Sequence, residues 1–127
     1  MSLGDVVVVA LAGGVGAGVR WAIDQAFRSP RGFPWAILFV NVTGCFAMTL
    51  LLGLFGGAHT LPTILAVGFL GGYTTFSTVN ADTVDLWRAG RRRGAVGNAL
   101  GTLLLCALGA GAGVWAASGL RAVLALL

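Results

Sequence analysis

The chain has 127 residues, of which 57% are hydrophobic and only 9% carry a formal charge, with a net charge of +4. A soluble domain usually has about 25% charged residues, and a small domain leaves much of its surface in water, so this composition excludes a water-soluble globular protein. It also excludes a disordered chain, which would have low hydrophobicity. The composition predicts an integral membrane protein of at most about five or six spanning helices, because each helix needs roughly 20 apolar residues.

Polar and glycine-rich stretches divide the chain into four apolar segments. The breaks lie around Pro30, around His59 and at the basic run Arg91-Arg92-Arg93. Each segment is long enough to cross a hydrocarbon core of roughly 30 Å as a helix, whereas barrel strands would be about ten residues long with alternating polarity. No basic region precedes the first segment, so we expect a retained helix and not a signal peptide. The sequence therefore predicts an all-α membrane protein, a single transmembrane domain over residues 1–127 with four transmembrane helices at about 3–27, 34–55, 61–87 and 94–127.

The first segment carries the only charge that lies deep within an apolar run, Arg20. Asp24 lies four residues further on, where it can pair with Arg20 on the helix surface. Alternatively, Arg20 attracts anions into a vestibule. Glycines four residues apart, which allow helices to approach closely in lipid, occur here and in the fourth segment. These pairs are Gly14 with Gly18, Gly97 with Gly101, and Gly109 with Gly113.

The second segment contains one strongly polar side chain, Asn41. An asparagine within a membrane either hydrogen-bonds a neighbouring helix or offers its N–H groups to an anion. Cys45 in this segment and Cys106 in the fourth both lie in apolar runs. There we expect small buried residues and no disulfide.

The third segment is most polar at its centre. Residues 71–78 read Gly-Gly-Tyr-Thr-Thr-Phe-Ser-Thr, and Thr74 is the midpoint of the predicted span. Non-helical backbone in the middle of a bilayer is tolerated only where it lines a cavity or binds something, and broken helices there expose carbonyl groups to ions. The alternative is a continuous helix whose hydroxyls bond back to its own carbonyls. The Gly-Gly pair and the hydroxyl cluster favour a third helix that is broken at the midplane.

The fourth segment has a polar stripe of Asn98, Thr102 and Cys106, which share one helical face because they are four residues apart. The stripe suits a pore lining and interhelical hydrogen bonds equally well. No carboxylate pair lies in the apolar core, and no Cys and His cluster has metal-ligand spacing, so we do not expect an enzyme. We expect the arginines to set orientation and to contact anionic lipid, and not nucleic acid.

Taken together, the segments resemble the bacterial fluoride channel family, called Fluc or CrcB, over essentially the whole chain. The resemblance is carried by Gly13-Gly14-Val15-Gly16-Ala17 followed by Arg20, by Asn41 with Gly44, and most specifically by the string at residues 71–78. It implies a cell-membrane channel that lets cytoplasmic fluoride leave down its electrochemical gradient and so lowers fluoride toxicity. It also implies an antiparallel, dual-topology dimer with two fluoride pores.

The resemblance also implies site residues. A structural Na⁺, the one cofactor implied and not itself transported, would be held at the dimer centre by the backbone carbonyls of Gly71 and Thr74. The fluoride pathway departs from the family pattern at Val79, which replaces a second phenylalanine, and along the stripe of the fourth segment, which replaces Tyr, Ser and Ser. With Arg20 assigned to the vestibule, the implied fluoride pathway comprises Asn41, Phe76, Ser77, Thr78, Asn98 and Thr102.

The arginines are distributed unevenly between the two ends of the predicted bundle. The loops that join the first segment to the second and the third to the fourth lie at one end, and short arginine-rich loops stay cytoplasmic. This bias predicts one dominant topology with both termini outside, so that an antiparallel dimer needs a second, oppositely oriented paralogue instead of another copy. The rich end holds Arg28, Arg31, Arg88, Arg91, Arg92 and Arg93, and the other end holds Arg121 alone.

The sequence leaves two other functions open. Small proton-coupled multidrug exporters are also four-helix, dual-topology proteins. They resemble one another in an essential Glu in the first helix, and this chain has no Glu. The third possibility is a non-conducting membrane assembly subunit that is held together by its glycines.

Overall fold

The computed structural model describes residues 2–28, 32–56 and 60–126, and within these ranges all regular structure is helical, which confirms the predicted all-α class. In chain order the elements are α1 (Leu3–Phe27), α2 (Trp35–Phe55), α3 (Thr60–Thr63), a π-helix (Ile64–Leu70), α4 (Gly71–Tyr73), α5 (Phe76–Arg88) and α6 (Arg92–Leu124). Among the described residues, α1, α2 and α6 are each long and apolar enough to cross a membrane. The third segment, residues 60–88, is built from the shorter pieces. Outside the described ranges lie Pro30, Arg31, His59 and Leu127.

The helix ends follow from local capping. The Ser2 hydroxyl accepts the backbone N–H of Asp5 at 3.2 Å, and the Asp5 carboxylate accepts the backbone N–H of Ser2 at 2.7 Å, which is a capping box at the start of α1. Helix α2 ends at Phe55 and is followed by Gly56, whose φ of +64° suits a glycine. Helix α6 begins at Arg92, two residues before the predicted start, because the chain already turns at Gly90, with φ +75°.

The most extensive helix contact joins α2 to α6 and depends on glycine. A Cβ atom added at Gly109 would lie 3.1 Å from a carbonyl oxygen of α2, and one at Gly113 would overlap the carbonyl oxygen of Phe46. The Thr49 hydroxyl donates across the same contact to the Ala110 carbonyl oxygen at 2.9 Å. The predicted pairing of Gly109 and Gly113 at a helix interface is therefore confirmed.

A second close contact joins α1 to the third segment. A Cβ atom at Gly16 would overlap the Phe69 carbonyl oxygen, and one at Gly72 would overlap the backbone of Gly13. The two backbones are close enough to touch, which is the packing that small residues allow between membrane helices. The contact holds the middle of the third segment against α1.

Two of the predicted glycine pairs do not make such contacts within the chain. No described heavy atom of another element lies within 4 Å of a Cβ built at Gly14, Gly18, Gly97 or Gly101, so the spacing argument was wrong for these pairs as intrachain contacts. The reason in α1 is helical phase: the face against the third segment contains Gly13 and Gly16, which are three residues apart.

The two ends of the bundle are tied together differently. At one end, Arg91 in the turn between α5 and α6 donates from Nη1 to the Gly32 carbonyl oxygen at 3.1 Å, so the two arginine-rich loops lie side by side. At the other end, Arg121 donates from Nε and Nη2 to the Leu54 carbonyl oxygen at 3.2 and 3.0 Å. The loop after α1 and the loop between α5 and α6 therefore lie at the same end of the bundle. The comparison of arginine numbers at the two ends assumed this arrangement.

We expect Gly16→Ala to lower the melting temperature of the protein, because the added methyl group must push α1 away from Phe69. Overpacking a tight contact costs roughly 1–3 kcal/mol. The matched control is Gly18→Ala, which adds the same methyl group where no described neighbour lies within 4 Å. Thermal unfolding of the detergent-solubilised protein measures both, and equal losses for the two variants would contradict this packing.

Candidate functional site

The third segment leaves helical geometry for two residues between α4 and α5. Thr74 has φ −78° and ψ 156°, and Thr75 has φ −151° and ψ 125°, so both are extended. The chain resumes as a helix because the Thr75 hydroxyl caps α5 by accepting the backbone N–H of Thr78 at 3.2 Å. The interruption coincides with the hydroxyl-rich string at residues 71–78.

Asn41 of α2 holds this interruption with two hydrogen bonds. Its Nδ2 donates to the Thr75 carbonyl oxygen at 3.0 Å, and its Oδ1 accepts the Thr75 backbone N–H at 2.7 Å. The side chain is 5% exposed, so both bonds are made largely out of contact with solvent or lipid. Asn41 therefore supplies the partner that the Thr75 N–H lacks and adds a second donor to the Thr75 carbonyl.

The interruption also releases carbonyl groups. In a continuous helix the N–H groups of Thr75 and Thr78 would bond the carbonyls of Gly71 and Thr74, four residues earlier. Here the Thr75 N–H is bound by Asn41 and the Thr78 N–H by the Thr75 hydroxyl. The carbonyl oxygens of Gly71 and Thr74 thus lose their usual donors at the same point in the fold.

Arg20 on α1 contacts the third segment just before the interruption, and the predicted pairing of Arg20 with Asp24 was wrong. Its Nε donates to the Gly72 carbonyl oxygen at 3.4 Å. Asp24 instead pairs with Arg28, whose Nε and Nη2 lie 3.1 and 2.9 Å from Oδ2. Both arginines are four residues from Asp24, and Arg28, just past the helix end, reaches back to it. The hydrogen bond and charge of Asp24 raise the pKa of Arg28.

A groove of about 420 Å³ opens beside the interruption and is bounded by α2, α4, α5 and α6. It combines a small number of polar groups with an apolar wall, as small-ligand sites usually do. This space, called the groove, is lined by Asn41, Cys45, Gly71, Thr74, Thr75, Phe76, Val79, Ala99, Thr102, Leu103 and Cys106.

The groove brings together some of the predicted site residues and not others. Phe76 projects with 80% of its surface exposed at the edge of the groove. Ser77 and Thr78 do not line it, although their hydroxyls lie 3.2 and 3.0 Å from the Thr75 hydroxyl. The predicted residues that line the groove are Asn41, Gly71, Thr74, Phe76 and Thr102, and those outside it are Arg20, Ser77, Thr78 and Asn98.

The polar stripe of α6 is divided between two roles. Asn98 is 1% exposed, and its Nδ2 donates to the Val79 carbonyl oxygen at 3.1 Å and to the Thr83 hydroxyl at 2.9 Å, which is the interhelical alternative. Thr102 and Cys106 face the groove. The Thr102 side chain is 7% exposed, and its hydroxyl has no hydrogen-bond partner among the described residues.

Two polar groove residues belong neither to the predicted site residues nor to the polar stripe of the fourth segment. Cys45 lies four residues after Asn41, so the helical spacing that selected the stripe in α6 also points to it. Thr75 lies inside the string at residues 71–78 but was passed over, because its role is to cap α5 and to present its peptide to Asn41. No pattern in the sequence predicts that the Thr75 peptide bonds to Asn41.

A second cavity, of about 450 Å³, lies at the arginine-rich end of the bundle. Its charged lining carries both signs, with carboxylates from Asp24, Asp82 and Asp85 and guanidinium groups from Arg28 and Arg91. It is separate from the groove, with which it shares no lining residue in the part of the chain that the structure describes.

Comparison with known proteins identifies relatives over most of the chain. A family model described as "CrcB-like protein, Camphor Resistance (CrcB)" matches residues 7–114. The chain is 42% identical to the fluoride-specific ion channel FluC of Paracoccus denitrificans, over 90% of this chain and 94% of the relative. It is 41% identical to FluC 1 of Leifsonia xyli, over 87% and 84%, and 39% identical to FluC 2 of Nocardia farcinica, over 89% and 87%.

We expect Asn41→Ala to destabilise the protein, because it leaves the N–H of Thr75 without a partner and takes one donor from the Thr75 carbonyl. Each unsatisfied buried group costs about 1–3 kcal/mol. The control is Asn80→Ala, which removes the same side chain from an exposed position of α5. Thermal unfolding in detergent compares the two variants, and a small, similar shift in both would show that the Asn41 bonds do not hold the interruption.

Proposed function

The chain belongs to the CrcB-like protein family, and on that basis we propose that it forms a fluoride-specific channel that exports cytoplasmic fluoride down its electrochemical gradient. The family is one of ion channels and not of enzymes, and the chain is a multi-pass protein of the cell membrane. The observation that carries the proposal is the groove, in which an interrupted helix presents backbone and side-chain polar groups within an apolar wall.

The groove has the chemistry that an anion requires. The start of α5 carries the partial positive charge of a helix N-terminus, and such ends bind anions through free N–H groups. Asn41 Nδ2 uses one of its two hydrogens for Thr75, which leaves the second for an anion. The exposed Phe76 ring offers its edge, where the ring quadrupole is positive. Together these groups replace water around a small, strongly hydrated ion.

Export needs no coupling to another ion. An inside-negative potential of about 100 mV favours exit of one anion by about 2.3 kcal/mol. In this proposal Ser77, Thr78 and Thr102 stay on the fluoride pathway and Arg20 stays in its vestibule, although Arg20, Ser77 and Thr78 lie outside the groove of the single chain. A second chain would complete the walls around them. Asn98 leaves the pathway, because it is buried within the chain and bonds to α5.

We place a structural Na⁺ at the carbonyls of Gly71 and Thr74. Carbonyl oxygens suit a hard cation, and these two have lost their helical donors to Asn41 and to the Thr75 hydroxyl. One chain offers only two oxygens, so a two-fold partner would supply two more. Gly71 fits this role because a Cβ there meets no described atom of its own chain within 4 Å, which leaves the position open to a partner.

The dimer we propose is antiparallel, with its two-fold axis through the interruption at the bilayer midplane. The arginine-rich end, where Arg91 joins the two loops, is then cytoplasmic in this chain. Because the opposite end has Arg121 alone among the counted arginines, few chains would insert the other way. We therefore propose that the second subunit is an oppositely oriented paralogue, which also accounts for Val79 and Cys106 if one of the two pores has decayed.

Fluoride efflux from liposomes tests the channel. For the dimer that contains this chain we expect passive efflux that depends on Na⁺. We expect Phe76→Ile to slow it severalfold, because the positive edge of the ring no longer contacts the anion. Thr74→Ser should keep the Na⁺ dependence, since the proposed site uses only backbone oxygen.

The matched control is Phe39→Ile, which removes an exposed ring of α2 that does not line the groove. If Phe39→Ile slowed fluoride efflux as much as Phe76→Ile, the groove would not be part of the fluoride pathway. No fluoride efflux from any dimer that contains this chain would favour the assembly subunit, and proton-driven efflux of an organic cation would favour the exporter.

Orientation is tested on the chain expressed alone. We expect impermeant reagents to label tags at both termini from outside in nearly every chain, because the arginine bias sets one topology. Neutralising Arg88, Arg91, Arg92 and Arg93 to Gln leaves two counted arginines at that end against one and should mix the orientations, whereas Arg121→Gln, the control, should leave one. Near-equal orientations of the unaltered chain, together with Na⁺-dependent fluoride efflux from it alone, would falsify the paralogue proposal.

A further inference from the structure

The two cysteines of the chain meet in the groove. Cys45 on α2 and Cys106 on α6 are both free thiols of intermediate exposure, and both line the groove. The two helices that carry them, α2 and α6, pack directly against each other. The chain has no other cysteine, so the only two thiols of the protein line the same groove.

A third polar atom points into the same part of the groove. Thr102 lies one helical turn before Cys106 and lines the groove beside it. More than nine-tenths of its surface is buried, and its hydroxyl finds no hydrogen-bond partner among the described residues. Buried polar groups are normally paired, so the unpaired Thr102 hydroxyl is available to a ligand bound in this part of the groove.

The lining limits what that ligand is. The rest of the wall near the thiols is apolar, with Val79, Ala99 and Leu103, and no described Asp, Glu or His lines the groove. Among the described residues no three such side chains and cysteines come together, so a four-coordinate Zn²⁺ site is not available. Two sulfur ligands from facing helices suit soft ions, which prefer thiolates and accept low coordination numbers.

We propose that Cys45 and Cys106 form a two-coordinate site for a soft, thiophilic d¹⁰ cation of the Cu(I) class, with the Thr102 hydroxyl alongside. Binding of Cu⁺ forms two Cu–S bonds. One S–H bond breaks and its proton leaves to water, so that one thiolate and one thiol give a neutral site in the apolar groove. Nothing is oxidised or reduced in this step.

The site lies within the proposed fluoride pathway, and this consequence rests on the proposed function. A metal ion between α2 and α6 occupies space that the anion needs beside Thr102. Loss of the second thiol proton would leave a negative site, which repels fluoride. Occupancy should therefore close this groove to fluoride.

Competition with bicinchoninate, a coloured Cu(I) chelator, tests the site on the detergent-purified full chain under anaerobic reducing conditions. We expect one Cu(I) per chain to be withheld from the chelator. Cys45→Ala and Cys106→Ala should each weaken binding by more than roughly 100-fold, the upper end of what loss of a supporting shell residue costs at metal sites. Thr102→Val, which keeps both thiols, should weaken it less.

A second measurement needs no variant. Cu(I) should protect both thiols of the unaltered chain from alkylation by a permeant maleimide, as read by intact mass. Release of all Cu(I) to the chelator, alkylation at the same rate with and without Cu(I), or two independent ions per chain would each overturn the site.

Fluoride efflux with and without Cu(I) then separates the two proposals. Inhibition that disappears in Cys45→Ala supports the site within the pathway. If the protein retains Cu(I) but conducts no fluoride, the metal site stands and the channel proposal fails. If efflux is normal while Cu(I) occupies the thiols, the metal ion does not block the fluoride pathway.

Discussion

The amide of Asn41 and the peptide of Thr75 make the pair of hydrogen bonds on which the site depends. The extended backbone at Thr75 leaves its N–H without a helical partner inside an apolar bundle, where water is not available to satisfy it. A side chain that both donates and accepts, fixed on a neighbouring helix, solves this with one residue. Once Thr75 is held, α5 can begin with its own cap, and the carbonyls of Gly71 and Thr74 are left open.

Close glycine contacts make this arrangement rigid. The third segment is a series of short helical pieces, which would have little stability alone. Gly16 and Gly72 let α1 press against it backbone to backbone, while α6 presses against α2 through Gly113. The interruption is thereby held between two tightly packed helix pairs. Gly71 makes no such contact. Gly72 is therefore needed for packing within the single chain, whereas the neighbouring Gly71 is open to a partner.

The groove contains groups that suit a cation and groups that suit an anion, only a few residues apart. Carbonyl oxygens at the end of α4 are suited to a cation, whereas the start of α5, the Asn41 amide and the Phe76 edge are suited to an anion. Opposite preferences on the two sides of one interruption follow from the direction of the helix dipoles. The free thiols of Cys45 and Cys106 line the same space.

The sequence alone determined the class of protein, since a composition with few charges and four apolar segments has no stable form outside a membrane, and the string at residues 71–78 identified the family. It also marked Asn41 as the important polar residue of α2. Only the tertiary structure decided what each polar residue does: Asn98 bonds across to α5 while Thr102 faces the groove, and Asp24 takes Arg28 and leaves Arg20 to the Gly72 carbonyl. Helical spacing states which residues share a face, but the partner that a face meets is set by how the helices are rotated and packed, and that depends on contacts between residues far apart in the chain.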